Sequence, residues 1–251
     1  MSYAHVNGLD IYYEVHGSGE PLVLLHGGLL TIDLTFAAVL PALARTRRVI
    51  AVELQGHGHT ADTERPFELS HLAGDVVGLL DELGIEKADF FGFSLGGLVS
   101  LQVAMAYPER AGRLVVAGVH FRADGYHPEV FALDPHSKRL PTEADFAAMR
   151  DAYLAVAPVP EHFEVFMAKA SALPEKLDWS ADDLGAVASP VLIVVGDTDF
   201  VRVDHAAEMR QHIPDSRLAV LPGTTHMDLT RRADLVLPLV EPFLDETPTR
   251  D

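Results

Sequence analysis

Residues 88–107 read ADFFGFSLGGLVSLQVAMAY, and this stretch decides the fold. An apolar, aromatic run of strand character (88–92) meets a helical pattern (95–107) that is apolar nearly all round. Between them lies Gly92-Phe93-Ser94-Leu95-Gly96-Gly97, a G-x-S-x-G sequence. Alone the motif means little, since a chain of this length carries it by chance roughly one time in ten. Its position between strand and helix gives it meaning. A serine on so sharp a turn needs small residues two positions away on either side, and Gly92 and Gly96 leave that room. The helix start behind Ser94 adds free N–H groups and partial positive charge. A hydroxyl placed there is a candidate nucleophile, provided a base stands within hydrogen-bond reach.

Working outward, strands alternate with helices. Residues 9–15, 21–25, 48–53, 113–117, 190–195 and 217–221 also read as strands, several as unbroken apolar runs that suit central parallel strands covered on both faces. Residues 69–83 place Leu69, Leu72, Val76, Leu79, Leu80 and Leu83 on one helical face, with Gly84 as a stop. A last helical pattern covers 229–245, interrupted by Pro238 and Pro242. The alternation predicts an α/β fold with a mostly parallel, doubly wound sheet.

Residues 119–188 break this rhythm. They contain Pro128, Pro135, Pro141, Pro158, Pro160 and Pro174 and no convincing strand. Two amphipathic helices are readable there, one with Phe146, Met149 and Tyr153 on a stripe, the other with Phe163, Phe166 and Ala170. We therefore expect a core of 1–118 and 189–251 and a helical cap of 119–188, inserted where ligands bind in open α/β sheets. The expected pocket residues are Leu29, Phe93, Phe121, Phe131, Phe146, Met149, Phe163, Phe166, Trp179 and Met227.

The 251 residues carry 37 acidic and 19 basic side chains, a formal charge of −18, which disfavours nucleic acid and anionic membranes as partners. The absence of cysteine excludes disulfides, cysteine-ligated zinc and thiol nucleophiles. No leader-like N-terminus and no apolar run of about 18 residues is seen, so the default expectation is a cytoplasmic protein outside the membrane. His57 and His59 lie close enough to suggest a metal site, but no third ligand has useful spacing, and neither metal nor cofactor is expected.

The elbow around Ser94, the His26-Gly27 pair after an early strand, the Gly196-Asp197-Thr198-Asp199 loop after a late one and His226 near the end together resemble the α/β-hydrolase superfamily, over almost the whole chain outside the insertion. The resemblance implies the chain order nucleophile, acid, histidine. On that order His226 is the general base, and Asp199, at the usual acid position, orients it. Asp197 becomes a loop-stabilising carboxylate, and Asp124 is a more remote alternative acid. An oxyanion would be held by the backbone N–H groups of Leu95 and Gly28, with Leu29 as the alternative to Gly28. His26 would hold this loop. The turn at 53–58 also resembles the family's Asp-x-Arg-Gly-His-Gly, with Glu53 and Gln55 replacing Asp and Arg. Serine at the elbow argues against dehalogenase and epoxide-hydrolase chemistry, which use aspartate there. The expected activity is hydrolysis of a neutral, fairly apolar carboxylic ester or lactone. Amide or C–C bond hydrolysis, perhydrolysis and a non-catalytic receptor for a small ligand are the alternatives.

Overall fold

The computed structural model describes residues 2–134 and 136–246, with only the backbone of Pro174 and Glu175. Pro135 and the ends of the expected core, Met1 and 247–251, lie outside the described residues. Eight strands among them form one sheet: β1 Ser2–Val6, β2 Leu9–His16, β3 Glu20–Leu25, β4 Arg47–Val52, β5 Ala88–Phe93, β6 Ala111–Ala117, β7 Val191–Thr198 and β8 Ser216–Thr225. The order is β1-β2-β4-β3-β5-β6-β7-β8. The β1–β2 and β2–β4 pairs are antiparallel, and every other pair is parallel.

The unbroken apolar runs follow from this burial. Along β3 and β4, Val23, Leu25, Ile50 and Val52 face one core, which the helices Leu69–Glu82, Leu95–Ala106 and Val203–His212 complete. Leu22, Leu24, Val49 and Ala51 face the other, under Ile32–Phe36 and Ala233–Asp245. The Leu95–Ala106 helix is apolar all round because the sheet covers one side and the Leu69–Glu82 helix another.

The sequence reading needs correcting at the last helix. It runs from Ala233 to Asp245 with Pro238 and Pro242 inside it, not interrupting it. The prolines are four apart on the exposed face, while Val236, Val240, Phe243 and Leu244 are buried. The carbonyls deprived of an amide partner therefore face water. Strand β1 and the Val203–His212 helix were also not anticipated. β1 is an edge strand whose residues are mostly exposed, so it has no apolar run to betray it.

Residues 119–188 are helical, including Glu143–Val156 and Phe163–Ser171. One isolated bridge, Arg122–Asp178, joins the two ends of this stretch, and another, Tyr126–Val201, ties it to the segment after β7. Among the described residues no helix is long and apolar enough to cross a membrane.

Candidate active site

The sheet reverses direction between β3 and β5: the chain leaves β3 for β4 on one side and returns to β5 on the other. The loops after those two strands flank the crevice where open α/β sheets bind ligands. His26–Leu29 and Ser94 occupy them.

Ser94 has φ 50° and ψ −115°, a conformation side chains rarely adopt. Backbone bonds hold it there, with Ser94 N–H donating to Ala117 O at 2.7 Å and Gly96 N–H to His26 O at 3.0 Å. A Cβ on Gly92 would come within 2.3 Å of Gly96 O, and one on Gly96 within 2.0 Å of Leu25 O, so both positions require glycine. Leu95 is the first residue of the following helix. Its side chain is buried, and its N–H, lacking an acceptor four residues earlier, is free to serve a ligand.

After β7, Asp199 is completely buried, and after β8, His226 is 3 % exposed. His226 Nδ1 donates to Asp199 Oδ1 at 2.6 Å. The Asp199 carboxylate also accepts from Val201 N–H at 3.2 Å and Gly196 N–H at 3.3 Å. Phe200 stacks on the His226 ring, 4.0 Å between centroids and 10° from parallel. With Nδ1 committed, the opposite nitrogen Nε2 is left for the cavity that Ser94 and His226 share. Asp197 is exposed and accepts from Thr224 N–H at 3.3 Å. Asp124 is exposed and paired with Arg122 at 3.2 Å.

Two buried histidines shape the loop after β3. His26 Nδ1 donates to Gly27 O at 2.8 Å, and its Nε2 accepts from Leu54 N–H at 3.1 Å. His57 Nδ1 donates to Gln55 O at 3.0 Å, and its Nε2 accepts from Leu29 N–H at 3.0 Å. Burial pushes His26 down to about 4 and His57 well below its ordinary value, so both are neutral, as these pairings require. The Leu29 amide is thus occupied by His57, while Gly28 lies on the cavity wall. His59 is turned toward Glu53, 2.8 Å from its carboxylate. Among the described residues no group of three His, Asp or Glu side chains could hold a metal ion.

The cavity has a volume of about 410 Å³. Of the expected pocket residues, Leu29, Phe93, Phe131, Phe146, Met149 and Met227 line it. Phe121, Phe163, Phe166 and Trp179 do not. Phe121 is sandwiched between the His205 ring at 4.2 Å and the Arg122 guanidinium at 4.4 Å. Phe163 packs on Tyr153 at 5.1 Å. Phe166 is wedged against His57 at 4.8 Å and Phe67 at 5.6 Å. Trp179 packs against the core beside the Leu69–Glu82 side of the sheet, its backbone N–H donating to Phe121 O at 2.9 Å. A helical stripe says that a face is buried, not against what, and these four bury against the core. The sequence reading missed Tyr126, which lines the cavity with Ser94, and Phe200, which stacks on His226. Their only sequence signal is an aromatic residue after a strand end.

A larger, open groove of about 1440 Å³ lies at the opposite end of the strands, lined by charged residues including Arg47, Asp89 and Asp245. These are paired with one another, at 2.9 Å and 2.7 Å from Arg47, and the crevice chemistry lies elsewhere.

This fold, with a buried His226–Asp199 pair beside the cavity that Ser94 also lines, points to a class, and comparison with known proteins agrees. Residues 20–141 match the family described as alpha/beta hydrolase fold. The serine hydrolase BPHL of Mus musculus is 30 % identical over 251 residues, covering 95 % of this chain and 84 % of that protein. The 2-hydroxymuconate semialdehyde hydrolase of Pseudomonas sp. (strain CF600) is 40 % identical over 108 residues, 41 % of this chain and 37 % of that one. The solved enol-lactonase from Burkholderia xenovorans LB400 superposes with a TM-score of 0.73 at 26 % identity, covering 97 % of this chain and all of that one. For three of the curated relatives, the chain spans only about half of their length, namely 47 %, 64 % and 37 %. The chain belongs to the α/β-hydrolase family.

Proposed function

We propose that the protein hydrolyses a neutral, fairly apolar carboxylic ester or lactone through an acyl-enzyme. Ser94 attacks the carbonyl carbon, and His226 takes the hydroxyl proton and delivers it to the leaving oxygen. Asp199 fixes the imidazole tautomer and offsets its positive charge. The N–H groups of Gly28 and Leu95 hold the oxyanion. Water then repeats the sequence on the acyl-enzyme, and no metal or cofactor is needed. Residues 119–188 act as the cap over the site.

The observation that carries this reading is the composition of the cavity. Ser94 and His226 open into walls made by Val130, Phe131, Leu133, Leu140, Phe146 and Met149, and no Lys or Arg stands among its described lining residues. A substrate bearing a carboxylate, as a hydroxymuconate does, would lose its hydration there without gaining a cation. That favours an uncharged ester or lactone over the hydroxymuconate semialdehyde named for one relative, and the likeness to an enol-lactonase points the same way.

The test is labelling with a fluorophosphonate, followed by turnover of a panel of esters, lactones, amides and vinylogous keto-acids. We expect one label per chain, on Ser94, and the highest kcat/KM on an uncharged ester or lactone. No label on Ser94, or faster turnover of a keto-acid, overturns the proposal.

A further inference from the structure

Tyr126 and Ser94 line the same cavity, and the serine hydroxyl bears on the phenol's titration. Its mounting is unusually firm for a residue just outside the sheet. Tyr126 forms an antiparallel bridge with Val201. On either side, His127 N–H donates to Phe200 O and Arg202 N–H to Gly125 O, both at 2.9 Å. The segment 125–127 is thus zipped to 200–202, directly behind Asp199. The phenol ring rests on His120 at 4.1 Å, Phe131 at 5.5 Å and Phe200 at 5.9 Å. Phe200 in turn stacks on His226. Through Phe200, Tyr126 is therefore coupled to the His226 wall of the cavity, and the leaving group departs toward the histidine that protonates it.

Burial first, and the Asp199 carboxylate second, push the phenol up, so it remains an O–H donor across the neutral range. The neighbouring walls, Val130, Phe131, Leu133, Phe146 and Met149, carry no side-chain donor. The other hydroxyl on the cavity, Ser171, sits on the cap helix Phe163–Ser171 and not on the acid loop.

We propose that Tyr126 is a catalytic residue on the leaving-group side, donating a hydrogen bond to the departing oxygen as the tetrahedral intermediate collapses. This rests on the acyl-enzyme reading above. In that step Ser94 Oγ has bonded to the carbonyl carbon, and its proton is on His226 Nε2. The bond from carbon to the leaving oxygen breaks, the electron pair stays on that oxygen, and His226 returns the proton to it. Tyr126 transfers no proton. Its O–H shares the charge growing on the oxygen, from a position fixed before reaction. The benefit scales with that charge. It is large for an alkoxide and small for p-nitrophenolate, whose ring already disperses it.

The experiment compares wild type, Tyr126→Phe and Ser171→Ala on ethyl and p-nitrophenyl esters of one acyl group. Tyr126→Phe keeps the ring packing, and fluorophosphonate labelling of Ser94 in the variant reports an intact site. We expect kcat/KM to fall roughly 10- to 100-fold on the ethyl ester and less than about threefold on the p-nitrophenyl ester, the range a lost hydrogen bond to a charged group produces. Ser171→Ala should leave the ratio of the two esters unchanged. Equal losses on both esters, no loss on either, or the same change of ratio in Ser171→Ala overturns the role of Tyr126 while leaving the acyl-enzyme reading standing. Unlabelled wild-type Ser94, with turnover surviving in Ser94→Ala, overturns both.

Discussion

Asp199 Oδ1 lies 2.6 Å from His226 Nδ1, and both side chains are shut away from solvent. Asp197, two residues earlier, is exposed; the backbone N–H of Gly223 foremost holds its carboxyl below the usual range. Asp199→Asn should therefore lower kcat by on the order of 10³- to 10⁴-fold, through the wrong imidazole tautomer, and Asp197→Asn by less than about tenfold. Steady-state kinetics on one ester checks the ranking. The reverse order would move the acid to Asp197, and two equal, small effects would remove it from this loop.

The strained backbone at Ser94 makes a prediction about stability that is separate from activity. Ser94→Ala and Ser94→Gly should both abolish nearly all turnover, leaving a residue several orders of magnitude below wild type. Glycine alone relieves the φ 50°, ψ −115° conformation. Ser94→Gly should then be more stable than Ser94→Ala by about 1 kcal/mol or more in urea unfolding. Identical midpoints for the two variants would mean that the elbow stores no strain.

Stability should fall as the solution is acidified from neutral. Burial lowers His26 and His205 to about 4, and holds His57 well below its ordinary value. Above the unfolded value near 6.5 all three are neutral in both states, and their contribution is intact. Below it the unfolded chain takes up protons that the native protein refuses until about pH 4, so unfolding gains roughly 1 kcal/mol per pH unit for each histidine. Urea titrations at pH 7.5, 6 and 5 should show a monotonic loss. A flat profile over that interval would contradict the buried, neutral state of these rings.

Cavity and core aromatics should separate cleanly. Phe146 is 49 % exposed and borders the cavity, so Phe146→Ala should shift the order of kcat/KM among acyl-chain lengths at a cost in stability under about 1 kcal/mol. Phe166 is fully buried against His57, so Phe166→Ala should cost about 3–5 kcal/mol and leave the chain-length order alone. Exchange of the two phenotypes would put the specificity surface on the wrong part of the insertion.

What the sequence revealed and what it concealed divide along physical lines. The elbow was legible because its requirements are local: two glycines, a serine and the strand and helix beside them. Asp199 and His226 could be picked out because each follows a strand in a fixed order, and the structure brings the two together. Tyr126 was not legible, since its position depends on pairing with Val201, 75 positions away, in a stretch without strand pattern. Phe163 and Phe166 were assigned to the pocket because periodicity reports burial without naming the partner. The occupation of the Leu29 amide by His57 was equally hidden, for no spacing rule links positions 29 and 57.

The zipper between 125–127 and 200–202 also bears on how such an enzyme can change over generations. An insertion joined to its scaffold by two flexible ends could be exchanged wholesale for another, and specificity would vary while the catalytic apparatus stood still. Here residues 125–127, early in the 119–188 stretch, supply backbone partners to the residues just after Asp199. A transplanted insertion that failed to restore those rungs would release Phe200 and unsettle His226. On the proposed function, new substrate ranges would be reached most directly by altering side chains beyond position 127, and grafts spliced before that point would loosen the Asp199–His226 pair.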